Sequence, residues 1–213
     1  MPNVPNTCRL VFTSTEAKAI LARLSGVPLL VAGLLYGAGL RLSEALRLRV
    51  KDVDFEARQI SVRDAKGMKD RQTMLPYSLR EPLEKHLTRV VFIHEKDLRS
   101  GLGEVWMPFA LERKYPNAGR EWKWQYVFPS SKISPSREDG KSRRHHISKT
   151  TVQKAVKKAL DETQINKHGN CHTFRHSFAA HLLEKHYDIR TAARTSRTQR
   201  RADDTDLHAR FEK

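Results

Sequence analysis

Acidic residues are scarce in this 213-residue chain: 24 Asp and Glu stand against 40 Lys and Arg, for a formal net charge of +16. That deficit argues against a cationic partner and for a polyanionic one, nucleic acid first and an anionic membrane second. Long apolar runs are missing too. No stretch reaches the about 18 residues of a membrane-spanning helix, and Arg41 interrupts the most apolar segment, 27–42. The opening "MPNVPNTCRLVF" lacks the charged start and apolar core of a signal peptide. Two cysteines, Cys8 and Cys171, make no disulfide framework, so a reducing cytoplasm fits. There is no internal repeat. The length suits one ordinary domain with a real core and is too short for two large ones.

What is present predicts a mainly helical α+β domain with one small sheet. Residues 1–12 hold two prolines and two asparagines and read as a linker. "TSTEAKAILARLSG" opens with a capping box, Thr13 to Glu16, and closes at Gly26. A second helix is expected to start after Pro28 and to break at Gly37 and Gly39, just before Arg41. "SEALRLRV" adds a short helical turn. "QISVRD" (59–64) and "RQTMLP" (71–76) alternate around "AKGMK", as a β-hairpin or two strands of a small sheet. Helical spacing returns at 80–98, 150–163 and 173–186. Between 101 and 148 the composition shifts: "LERKYPNAGREWKWQYVFPS" holds two of the three tryptophans and is followed by the polar, basic "SPSREDGKSRRHHIS".

Four polar residues stand out. Arg41 follows a glycine break at the end of an apolar helix, where a buried charge would be costly. Lys66 lies in the hairpin turn beside Gly67, and His172 and Arg175 are three apart at a helix start. Two guanidinium forks, an ammonium and an imidazole suit a phosphate clamp with proton transfer. For any one Arg or Lys in so basic a chain, a solvated surface charge is the commoner meaning. His172, His176 and His181 have partial metal-ligand spacing, but no "HExxH" and no cysteine pair accompanies them, so no metal is expected. Trp122 and Trp124 suit a core or lid, or base stacking. Arg143, Arg144, His145 and His146 suit contacts to a nucleic-acid backbone, with little sequence specificity.

The order of these pieces resembles the catalytic domain of the tyrosine recombinases (the phage integrase family). "YGAGLRLSEALRLRVKDVDF" (36–55) is similar to their first arginine box, "DAKGMKDRQTMLP" (64–76) to their lysine hairpin, and "HTFRHSFAAHLLE" (172–184) to their His-x-x-Arg box. "ALERKYPNAGREWKWQYVFPS" (110–130), followed by "RRHH", resembles the insertion of the integron integrases within that family. The resemblance implies that Arg41 and Arg175 grip the scissile phosphate. Lys66 would protonate the leaving 5′ oxygen, and His172 would assist proton transfer. A tyrosine nucleophile conserves the bond energy in a 3′-phosphotyrosyl link, so no cofactor is needed. Trp122 and Trp124 would meet extrahelical bases of a folded single-stranded site. The resemblance also implies a homo-oligomer on DNA and a bacterial, nucleoid-associated, cytoplasmic location.

Two parts of the family pattern are not found in this sequence. One is the amino-terminal helical domain, with Met1 falling where the interdomain linker is expected. The other is the segment carrying a second histidine and the nucleophile. Residues 192–213 form an aberrant tail instead, after a catalytic domain spanning 13–191 with its insertion at 101–148. Shifting the reading frame by one base makes the tail compatible with that segment, placing the histidine at Thr198 and the tyrosine at Leu207. The sequence therefore predicts a catalytic domain defective in strand exchange, with a non-cleaving DNA-binding module as the alternative.

Overall fold

In "GVPLLVAGLLYG" every position is apolar apart from a tyrosine hydroxyl, so a helix built from it must be buried on all sides. A computed structural model, which describes residues 10–63, 70–107, 113–135 and 140–184, places this helix at the centre of the molecule. Helix α1 (Ser14–Ala22) starts at the expected capping box, with Glu16 N–H donating to Thr13 and Thr13 N–H to Glu16. Helix α2 (Gly26–Gly37) begins two residues before Pro28. Proline fits a first turn because its missing N–H would have no helical partner there. Helix α3 (Leu42–Arg47) follows at once.

Three short antiparallel strands come next, β1 (Val53–Asp54), β2 (Gln59–Val62) and β3 (Arg71–Met74), in the order β1-β2-β3. Ile60 pairs with Thr73 and Val62 with Arg71. The sheet thus has one strand more than a hairpin. Helix α4 (Tyr77–Arg99) starts three residues earlier than the spacing suggested and carries Pro82 within it. Its buried stripe of Leu79, Leu83, Leu87 and Val90 outweighs the hydrogen bond that proline forfeits. Leu79 lies so close to Gly33 that a Cβ there would come within 2.8 Å of it, which is why the α2 face is bare at that point.

Helices α5 (Lys149–Glu162) and α6 (Cys171–Glu184) complete the main core against α2. Phe12 and Phe174 stack at 5.3 Å inside it, and the Phe12 N–H donates to Ser177. Two more strands, β4 (Ser134–Pro135) and β5 (Ser142–Arg143), form a small separate ladder. Val105, Met107, Ala118 and Tyr126 form a second, smaller core. Beside it, backbone hydrogen bonds run from Val50 to Gln125 and from Val127 to Leu48. No helix among the described residues is long and apolar enough to cross a membrane. The expected linker is described only from Leu10 onward. Lys66, the last two residues of the helix expected at 173–186, and the tail with Thr198 and Leu207 lie outside the described residues.

Candidate functional site

The break after α2 sets up the site. Gly39 adopts a φ of +63°, which side chains disfavour, and a Cβ there would come within 2.5 Å of the Phe178 ring. With that turn made, the Gly39 carbonyl accepts a hydrogen bond from the Arg175 guanidinium of α6. Arg41 follows as the cap of α3 and donates its own N–H to Glu44 at 2.8 Å. This is half a capping box, since an arginine side chain has no acceptor to return the bond.

Glu44 is where the cations meet. Its side chain is only 7% exposed, and Arg41 Nη1 donates to Oε1 at 2.7 Å. Arg71 of β3 reaches Oε2 at 2.6 Å, and Arg175 Nη1 lies 3.5 Å from the same oxygen. Burial alone would raise the Glu44 pKa, but the bonds from Arg41 and the charge of Arg71 outweigh it and hold the carboxyl below its ordinary value. Arg175 is displaced downward, by burial first and by the like charges of Arg41 and Arg71, while Glu44 opposes the shift. The side chains of Arg41, Arg71 and Arg175 remain 37%, 28% and 29% exposed, so the cluster reaches the surface. The structure therefore brings Arg41 and Arg175 together, as the sequence reading expected.

His172 is exposed on the first turn of α6, one turn before Arg175. Asn170 caps that turn, accepting from the His172 N–H at 2.8 Å while Thr173 accepts from the Asn170 N–H at 3.0 Å. The preceding loop is strapped down by Lys167, which donates to Glu16 at 2.6 Å and to the Val11 carbonyl at 3.1 Å. Beside it a cleft of about 740 Å³ is lined by Lys157, His168, Cys171 and His172. Burial raises the Cys171 thiol to about 11, so it is not a nucleophile at neutral pH. His181 is buried, with Nδ1 3.1 Å from the Tyr36 hydroxyl, which accounts for it as a core residue.

Of the insertion's residues, the tryptophans take the core position that was one of their two readings, and the two arginines are enclosed. Trp122 packs on the main core with its ring 5.9 Å from that of His94. Trp124 packs on the second core and carries the Lys51 ammonium 2.9 Å from its ring centre. Both indoles are half-buried. Arg143 and Arg144 do not form a surface patch. The Arg143 side chain is 2% exposed and pairs with Glu104 at 2.8 Å. Arg144 grips both oxygens of Asp97, at 2.5 and 2.7 Å, and donates to the Ser130 carbonyl. A guanidinium so enclosed is not offered to a phosphate. His145 is half-buried, and His146 leans edge-on against Tyr126 at 5.5 Å with its Nδ1 on the Ile147 carbonyl.

Glu44 and Arg71 were not singled out from the sequence. Glu44 carried a signal, since it stands three residues into a helix start as Glu16 does. Arg71 carried none, because only the strand register aims it at Glu44.

A sequence model of the phage integrase family matches residues 11–196. Proteins described as "Integrase/recombinase" from Escherichia coli and Pseudomonas aeruginosa are each 47% identical over 182 residues, covering 85% of this chain and 54% of theirs. The tyrosine recombinase XerA of Thermococcus onnurineus is 31% identical over 192 residues, covering 89% of this chain and 54% of its own. The chain thus spans about half the length of these relatives. Among solved structures, a XerA recombinase superposes with a TM-score of 0.59 at 21% identity, over 99% of this chain and 65% of that one. A XerH site-specific recombinase bound to its palindromic difH substrate in a post-cleavage complex gives 0.55 at 20% identity, over 90% and 49%. The mainly helical fold with small antiparallel sheets is theirs, and this chain belongs to the phage integrase family, the tyrosine recombinases.

Proposed function

We propose that this chain is the DNA phosphodiester-handling half of a site-specific tyrosine recombinase of the integron type. One observation carries the reading: Arg41 and Arg175, from elements far apart in sequence, meet at the same buried carboxylate while their side chains stay partly exposed. Preorganised guanidiniums of this kind stabilise the charge that gathers on phosphorus in the transition state more than the charge of the ground state. His172, one helical turn away, is the proton-transfer group, and Lys66 of the β2–β3 connection is the acid for the leaving 5′ oxygen. The DNA-bound XerH relative supports DNA as the partner. The integron assignment is supported by the 110–130 segment, which carries Trp122 and Trp124, and by the "RRHH" run that follows it.

Within this reading Leu207 stands 35 residues beyond His172, where the nucleophilic tyrosine belongs. A leucine has no nucleophilic atom, so the chain as given binds DNA without cleaving it. Incubation with a suicide substrate carrying a recombination site, resolved on a denaturing gel, tests this. The expected outcome is DNA binding that weakens steeply with salt, falls on Arg175→Ala, and yields no covalent adduct. A version with the reading frame restored after Thr191 and an amino-terminal domain supplied should form the adduct. A covalent adduct on the chain as given would overturn the inactivity, and salt-insensitive binding unaffected by Arg175→Ala would overturn the phosphate clamp.

A further inference from the structure

Glu44 has more cations than it can neutralise. Its Oε2 takes the Arg41 N–H and Arg71, with Arg175 nearby, and its Oε1 takes the Arg41 guanidinium. A carboxylate offers about four lone-pair positions, so these contacts occupy it. Three guanidiniums against one carboxylate leave the cluster with two positive charges in excess. Arg63, just past the end of β2, pairs with Asp52 at 2.7 Å and faces Asp70 at 4.0 Å.

Arg71 is held in this position from two sides. Its strand is paired to β2 through Val62, and two residues on, the Thr73 hydroxyl donates to the Ala38 carbonyl at 2.9 Å. Ala38 directly precedes the Gly39 turn that serves Arg175. The strand therefore cannot drift without disturbing the arginine pair.

We propose that Arg71 is a third cation of the phosphate site, and that it tunes the site to a doubly charged oxyanion over a singly charged one. This rests on the phosphate reading above and gives it a charge preference. A phosphodiester carries one negative charge. When a hydroxyl oxygen attacks, its proton passes to a base, the new oxygen–phosphorus bond forms, and the pentacoordinate phosphorus group carries two. The leaving oxygen then departs and takes up a proton. Each further cation at the site favours the doubly charged pentacoordinate species over the singly charged diester. Arg71 adds one such cation.

Phosphorus NMR titrations of the full chain at constant ionic strength and pH 8.5 separate the possibilities. Inorganic phosphate, a dianion there, is compared with dimethyl phosphate, a monoanion. Arg175→Gln should weaken both. Coulomb energy scales with ligand charge, so Arg71→Gln should weaken phosphate about tenfold and dimethyl phosphate about threefold. Arg71→Lys should restore most of the preference, and thermal melting checks that each variant is folded. Equal losses on both anions, unrestored by lysine, would mean that Arg71 only positions Glu44, and the inference fails. No loss on Arg71→Gln while Arg175→Gln weakens both also overturns it, leaving the phosphate clamp standing. If the native chain binds neither anion, the clamp and this inference fall together. Should Arg71→Gln not fold, Arg71→Lys remains decisive, because loss of the dianion preference in a folded lysine variant contradicts a role set by charge.

Discussion

Two arginine clusters lie in this molecule, and they do opposite things. Around Glu44, three guanidiniums share one carboxylate and remain about a third exposed. In the 97–146 region, Arg144 has a carboxylate and a carbonyl to itself, and Arg143 is enclosed against Glu104. Arg49 belongs with the second group, donating to the carbonyls of Trp124 and Trp106 while its guanidinium lies 4.7 Å over the Tyr126 ring. Three arginines stand in each place. The ratio of cations to acceptors differs, and on the proposed reading it separates a cluster open to an anion from one that holds a loop.

The comparison breaks hardest at Glu44. Glu44→Leu leaves three cations facing one another and should cost about 3 kcal/mol of stability in urea unfolding. The folded carboxyl has a pKa below its ordinary 4.5, so its contribution is fully present above that pH and is lost as pH falls through the lower folded value. The variant should therefore also lack that part of the acid-unfolding limb, and an unchanged limb would count against the cluster.

Asp97→Ala should come next, at about 2 kcal/mol, because it strands a guanidinium that is 15% exposed but keeps the Ser130 carbonyl. DNA-hairpin binding should fall with it while phosphate binding at Arg41 and Arg175 persists. A parallel loss of both would show the two clusters to be one.

Lys51 gives a smaller effect with a definite sign. Burial, then Arg63, pulls its amine down to about 8 from 10.5. Between those values the unfolded chain holds a proton that the folded chain has released, so stability should rise with pH across that window. Lys51→Met should flatten that rise, and a rise unchanged in the variant would assign it elsewhere. Smallest of all, Lys85→Ala removes the exposed one-turn pair with Glu81 and should leave the melting temperature within error.

Much of the fold was legible. The Thr13–Glu16 box, the alternation that made β2 and β3, and the glycine break before Arg41 are local signals, and each element stands where its signal lies. The start of α4 was less so, because Pro76, read as the end of a strand, caps the helix directly and leaves no loop between them. Arg41 and Arg175 were found because glycine and helix-start context marked them. The enclosure of Arg143 and Arg144 was not legible, since their partners Glu104 and Asp97 lie about forty residues away and a paired arginine looks like a solvated one in sequence.

Gln125 invites a reading in terms of descent. Its one amide nitrogen reaches the carbonyls of Gly103, Gly119 and Glu121, at 3.3, 3.0 and 3.4 Å, and so ties Gly103 to the turn at 119–121. The residues just after it, Val127 and Phe128, already belong to the main core. A lineage that lost this amide would lose all three tethers in one step, because a single side chain carries them. A change at Gln125 is therefore inherited by Gly103, Gly119 and Glu121 together.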